Sequence, residues 1–147
     1  MSKSETIGGI DTLIILPCHS IYKKVPTKET VSSKKLSQDE SGPGFDENDW
    51  ELAPFQYEAH DHLFFIQHVY ASYEYLLQHR ANSVLVFSGG YTKDTQKELS
   101  ESLSYLNVAK MRGLIPLEYE NTFENGKILL EDRARDSYEN VVFSLIK

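Results

Sequence analysis

The sequence predicts an α/β domain with a mostly parallel sheet and helices on both faces. Short continuous apolar runs at Thr12 to Pro17 (TLIILP) and Ser83 to Ser88 (SVLVFS) have the pattern of buried parallel strands. Amphipathic stretches at helical spacing lie between and after them. Gly89-Gly90, directly behind the second run, reads as a turn from strand into helix.

In chain order, Thr12 to Pro17 is the first strand, ended by its proline. Residues 23–49 follow, with Pro26, Gly42, Pro43 and Gly44, a basic first part and an acidic last part. They read as a long polar loop, either a lid or a disordered insert. From about Phe55 to Arg80, Leu63, Ile66, Val69, Tyr70, Tyr73, Leu76 and Leu77 recur at three- and four-residue steps, which predicts one helix. Ser83 to Ser88 is the next strand. About Lys97 to Arg112 is a second helix, with Leu99, Leu103 and Leu106 inward and Gly113 placed to stop it. Leu114 to Tyr119 and Ile128 to Leu130 are further strand candidates, although Pro116 marks the first as an edge or a loop. Asp136 opens a last helix with Val141, Val142, Leu145 and Ile146 inward. The alternation of strand and helix describes βαβ units.

At 147 residues the chain is expected to form a single domain. A net charge of −7 argues against nucleic acid or an anionic membrane as the main partner, despite the local cluster Lys23, Lys24, Lys28, Lys34 and Lys35. Cys18 is the only cysteine, so no intrachain disulfide forms. The N-terminus lacks an apolar signal core, and no apolar run approaches the ~18–20 residues of a membrane span. A cytoplasmic setting is the expectation.

In open α/β sheets, ligands sit outside the carboxyl ends of the strands. There, Ser88, Gly89 and Gly90 could cradle a phosphate or carboxylate through backbone N–H groups and the Ser88 hydroxyl. The plain alternative is a turn needing glycine at positive φ. Ser100 and Glu101 could be ligand groups, with Glu101 accepting from a ribose-like hydroxyl or acting as general base. Equally, Ser100 would cap the helix and Glu101 would favour its positive end. Asp136 and Glu139 have capping-box spacing, whereas Asn140 needs a polar partner and Arg133 could clamp an anion bidentately.

Cys18 and His19 end the first strand, where α/β sites lie. Neighbours in extended backbone face opposite ways, so His19 is a poor base for a Cys18 nucleophile. Cys18 reads as a small apolar residue or, less simply, a redox sensor, and His19 as a ligand-binding or catalytic group in the crevice. His60, His62 and His68 do not share ligand spacing on one regular helix, so no metal site is expected.

Taken in order, Ser88-Gly89-Gly90, Ser100-Glu101 and Arg133-x-x-Asp136-Ser137-x-Glu139-Asn140 resemble the domain-of-unknown-function family of the bacterial SanA, ElyC and YdcF proteins, in a fungal-like version. The resemblance runs from about Thr12 to Lys147, excluding the loop. It implies a Rossmann-like α/β fold, a three-layer sandwich, and a site on Ser88, Gly89, Gly90, Ser100, Glu101, Arg133, Asp136, Ser137, Glu139 and Asn140. It also implies enzymatic activity without an agreed reaction. Departures are Cys18-His19-Ser20 where relatives carry a glycine-rich turn, Ser137 where threonine is usual, and Tyr138 inside the last motif. Family domains continue with another strand and a His/Arg segment, so the chain reads as an N-terminal fragment or a shortened product.

The function expected is binding of an anionic or nucleotide-like small molecule at the strand ends, with hydrolysis or group transfer as the reaction class. Catalytic roles fall to Glu101 and His19, and the sequence names no cofactor. The alternative is a non-catalytic interaction protein or an inactive fragment of a larger enzyme.

Overall fold

A computed structural model of the chain describes residues 11–91, 99–116 and 128–134. Strands β1 (Thr12–Pro17), β4 (Ser83–Ser88) and β5 (Ile128–Glu131) form a parallel sheet in the order β1-β4-β5. The register sets Ile14 beside Leu85 and Leu16 beside Phe87, then Leu85 beside Ile128 and Phe87 beside Leu130. Paired residues share a face, so these six form one apolar layer, and all six belong to the core or pack against it. Leu13, Ile15, Val84, Val86 and Leu129 make the other face; Leu13 is exposed on it and Val86 is buried.

Both crossovers step across the sheet in one direction. Right-handed connections therefore deliver their helices to one face. The packing agrees: Phe65 of helix α2 (Asp61–Gln78) and Tyr105 of helix α3 (Glu101–Met111) lie 5.9 Å apart, ring centre to ring centre. Trp50 sits against both, at 5.3 and 5.8 Å, and against Tyr22 at 5.2 Å. The expected last helix, from Asp136, lies outside the described residues, as do Tyr119 and its two preceding neighbours in the candidate strand. Leu114 to Pro116, the described part of that candidate, form no strand, and Leu114 and Ile115 instead turn inward as buried side chains.

One helix was expected from about Phe55 to Arg80, and two are found. α1 (Pro54–Ala59) opens with proline at its first turn, and α2 follows after His60, whose φ of 54° and ψ of 42° lie in the left-handed region. The residues that set the apolar periodicity, Leu63 to Leu77, all lie in α2, so hydrophobic spacing could not reveal the break. Left-handed backbone at a non-glycine residue has no strong sequence mark.

The polar segment 23–49 begins and ends at a two-stranded antiparallel clasp, β2 (Ile21–Tyr22) with β3 (Trp50–Glu51). Between them the segment runs as a strap over α2 and α3. Arg112, 1% exposed, holds it: Nη2 donates to the Ser37 and Glu40 carbonyls at 2.7 Å each, Nη1 to Pro43 O at 2.9 Å, and Nε to Tyr70 Oη at 3.1 Å. Its guanidinium also lies over the Phe45 ring at 5.1 Å. Tyr70 Oη donates onward to Leu36 O, and Trp50 Nε1 donates to Gly44 O.

Gly113 ends α3 as expected, at φ 76°. Its N–H donates to Lys110 O and the Leu114 N–H donates to Ala109 O, the two bonds of a Schellman cap. A Cβ there would stand 2.4 Å from Lys34 O of the strap. Gly113→Ala is expected to lower stability by about 2–3 kcal/mol, from backbone strain and this clash. A urea titration checks it; an unchanged midpoint would contradict the tight seating of the strap.

Candidate functional site

The carboxyl ends of β1, β4 and β5 meet in a buried polar knot. Ser88 Oγ donates to Glu131 Oε1 at 2.7 Å, and Glu131 Oε2 accepts the backbone N–H groups of Arg133 (2.7 Å) and Ala134 (3.2 Å). Glu131 is 2% exposed and Glu101 7% exposed, so two carboxylates are drawn into the sheet edge. Buried acids at the end of a parallel sheet are the environment in which functional groups are found. Both lie close enough to Cys18, beyond the end of β1, to disfavour its thiolate.

The two glycines are required by close approach. A Cβ on Gly89 would lie 2.7 Å from Glu101 Cβ and 3.0 Å from Cys18 Cβ, and one on Gly90 would lie 2.7 Å from Ala134 O and 2.8 Å from Asp132 O. Neither has positive φ, so the plain reading of a left-handed turn does not describe them. The knot also engages their donors. Gly89 N–H donates to Glu131 O (2.8 Å) and Gly90 N–H to Ala134 O (2.7 Å). At the start of α3, Glu101 N–H donates to Gly90 O (2.9 Å) and Ser102 N–H to Gly89 O (3.1 Å). The four N–H groups best placed to cradle an anion thus bond the chain to itself.

Ser100 is the N-cap of α3, its Oγ accepting from Leu103 N at 3.0 Å. Glu101 in the first turn folds over Gly89, with Oε1 3.0 Å from that residue's Cβ position. Arg133 is exposed at the rim, one residue beyond Asp132. His19 leaves the knot on the α2 side: its N–H donates to Tyr105 Oη (3.1 Å) and its carbonyl accepts from Gln56 Nε2 (3.2 Å). Burial of the ring and then the neighbouring His68 hold His19 below its ordinary pKa, with Asp61 opposing, so it is neutral near pH 7. The structure therefore gathers Ser88, Gly89, Gly90, Ser100, Glu101 and Arg133 at one edge, with His19 beside them. Asp136, Ser137, Glu139 and Asn140 lie outside the described residues. Among the described residues, no group of three or more His, Cys, Asp or Glu side chains could hold a metal ion.

Sequence reasoning missed Glu131. Its only mark was an acid closing the apolar run Ile128-Leu129-Leu130. Cys18 is 2% exposed, and burial, with Glu101 and Glu131 nearby, pushes its thiol well up. An unfolded thiol ionises near pH 8.5, whereas this one stays protonated, so its contribution to stability is present below about pH 8.5 and is lost as pH rises above that. The native chain should react with a thiol reagent at pH 8 at least a hundredfold more slowly than the unfolded chain; equal rates would contradict the burial.

These elements define an α/β protein with its polar edge at the carboxyl ends of a parallel sheet. The chain is similar to a Saccharomyces cerevisiae protein named uncharacterized protein YOR238W, 30% identical over 167 aligned positions that take in 92% of this chain and 52% of the yeast protein. The chain thus spans about half the length of the curated relative it matches. No protein-family model matches it. No solved structure matches it either. Among the described residues, no helix is long and apolar enough to cross a membrane.

Proposed function

We propose that this chain carries the ligand site of a cytoplasmic small-molecule-binding protein with a Rossmann-like fold, of the SanA, ElyC and YdcF type. The ligand is nucleotide-like and lies over the ends of β1, β4 and β5. The observation that carries this is the meeting of Ser88, Glu101 and Glu131 around Gly89 at the ends of adjacent parallel strands.

The bonding pattern sharpens the expectation of an anionic ligand. With the glycine and helix N–H groups engaged internally and two carboxylates in place, the edge suits ligand hydroxyls rather than a bare anion. Sugar hydroxyls would donate to Glu101, and the anionic group would lie at the rim toward Arg133. Glu131, with both oxygens engaged, is a positioning residue for Ser88 and the turn into Arg133. If the bound molecule reacts, Glu101 is placed to take a proton from a hydroxyl or water, which fits hydrolysis or group transfer.

A thermal-shift screen against nucleotides, sugar phosphates and inorganic phosphate tests this. A ligand binding only the folded chain at a hundredfold excess over its dissociation constant stabilises it by about 2.7 kcal/mol. The shift should fall by more than half in Glu101→Gln and Arg133→Ala. Full shifts in both variants would move the site elsewhere.

A further inference from the structure

Beside the knot, on the far side of Cys18-His19, a groove of about 630 Å³ opens between the ends of β1, α1 and α2. Phe55 and Phe64 stand on its walls at 67% and 50% exposure, with Phe65 behind, and His19, His68 and Asp61 supply its polar edge. Two phenylalanines left this open to water in one concavity are unusual for an isolated surface. The main chain at His19 is pinned from both sides. Gln56, 6% exposed, accepts from Ala53 N–H through Oε1 (2.8 Å) while its Nε2 donates to His19 O, and Tyr105 Oη fixes His19 N–H from the other side. These bonds satisfy the backbone N–H and carbonyl of His19 and so fix the chain at the point where this residue lines the groove.

We propose that this groove is the subsite for a planar nitrogen heterocycle, the base of a nucleoside whose sugar lies at the knot. The inference rests on the reading of the strand ends as the ligand site. Phe55 and Phe64 offer ring faces for stacking. Asp61 accepts from an exocyclic amino group, and His19, neutral near pH 7, offers one donor and one acceptor to the ring edge. The Asp61 carboxylate disfavours an anionic occupant, which separates this subsite from the Arg133 rim. The volume fits, because pockets for molecules of this size run from about 300 to 1,000 Å³. The Cys18-His19 step joins the two halves: Cys18 N–H donates to Ser88 O in the knot, and the next residue lines the groove.

Calorimetric titrations with adenosine and with ribose 5-phosphate, on the full chain and on Phe64→Ala, His19→Ala and Glu101→Gln, test this. Phe64 is exposed, so its variant is expected to fold normally. Phe64→Ala should weaken adenosine roughly ten- to a hundredfold, the range for losing one stacking face, and leave ribose 5-phosphate unchanged. Glu101→Gln should weaken both ligands. Adenosine binding that is indifferent to Phe64→Ala and His19→Ala, yet lost in Glu101→Gln, would overturn the groove while the strand-end reading stood. Binding lost in Phe64→Ala but unaffected by Glu101→Gln would keep the groove and overturn the strand-end site. Ribose 5-phosphate binding without adenosine binding would also overturn the groove.

Discussion

Arg112→Ala should destabilise the protein by about 3–4 kcal/mol. The side chain is a buried cation whose described partners are three backbone carbonyls and one phenol, all in or against the strap. Hydrogen bonds to a charged donor contribute about 1.5–3 kcal/mol each without adding fully, and their removal leaves buried acceptors unpaired. Lysine is no substitute, because one ammonium cannot reproduce the planar fork that reaches Ser37, Glu40 and Pro43 together. The strap carries Lys23, Lys24, Lys28, Lys34 and Lys35, so trypsin reads its seating directly. Arg112→Ala should be cut within the strap well before global unfolding. Wild-type resistance with a wild-type urea midpoint would show that the strap does not depend on this residue.

Trp50→Ala should cost about 3–5 kcal/mol, the range for truncating a fully buried large aromatic side chain. Trp50 is 0% exposed and joins the clasp (Tyr22), α2 (Phe65) and α3 (Tyr105) in one cluster. Trp50→Phe keeps most of that contact and loses the Nε1 donation to Gly44 O, at about 1 kcal/mol. Circular dichroism melts rank the two variants, and equal losses would mean that the indole bond, not the packing, holds the cluster.

These two residues also show where sequence reasoning ended. β1 and β4 were legible because each is a short continuous apolar run of strand length. Gly113 was legible because a glycine after an apolar helical face has one usual role. The clasp was not, because Ile21-Tyr22 and Trp50-Glu51 are two residues each and pair across a long interval of polar chain. Arg112 looked like an ordinary basic residue at a helix end; its burial depends on tertiary contacts with residues some seventy positions earlier.

The candidate site was legible in which residues gather more than in how they bond. Ser88, Gly89, Gly90 and Glu101 were expected together and lie together. Which donors face inward could not be read, because that depends on the path of the chain after β5. The Arg133 and Ala134 turn, pinned by Glu131, places a carbonyl on Gly90 N–H. The backbone donors expected to cradle an anion are therefore engaged within the chain.

The most direct test locates the ligand. Amide resonances of the ¹⁵N-labelled chain would be followed while adenosine monophosphate is added. The largest shifts are expected at His19, Gly89, Gly90 and Glu101, with smaller ones at Phe64 and Arg133. Shifts confined to the separate groove at the other end of α3, where Lys28 and Lys110 offer a cationic lining, would contradict the placement of the site at the strand ends.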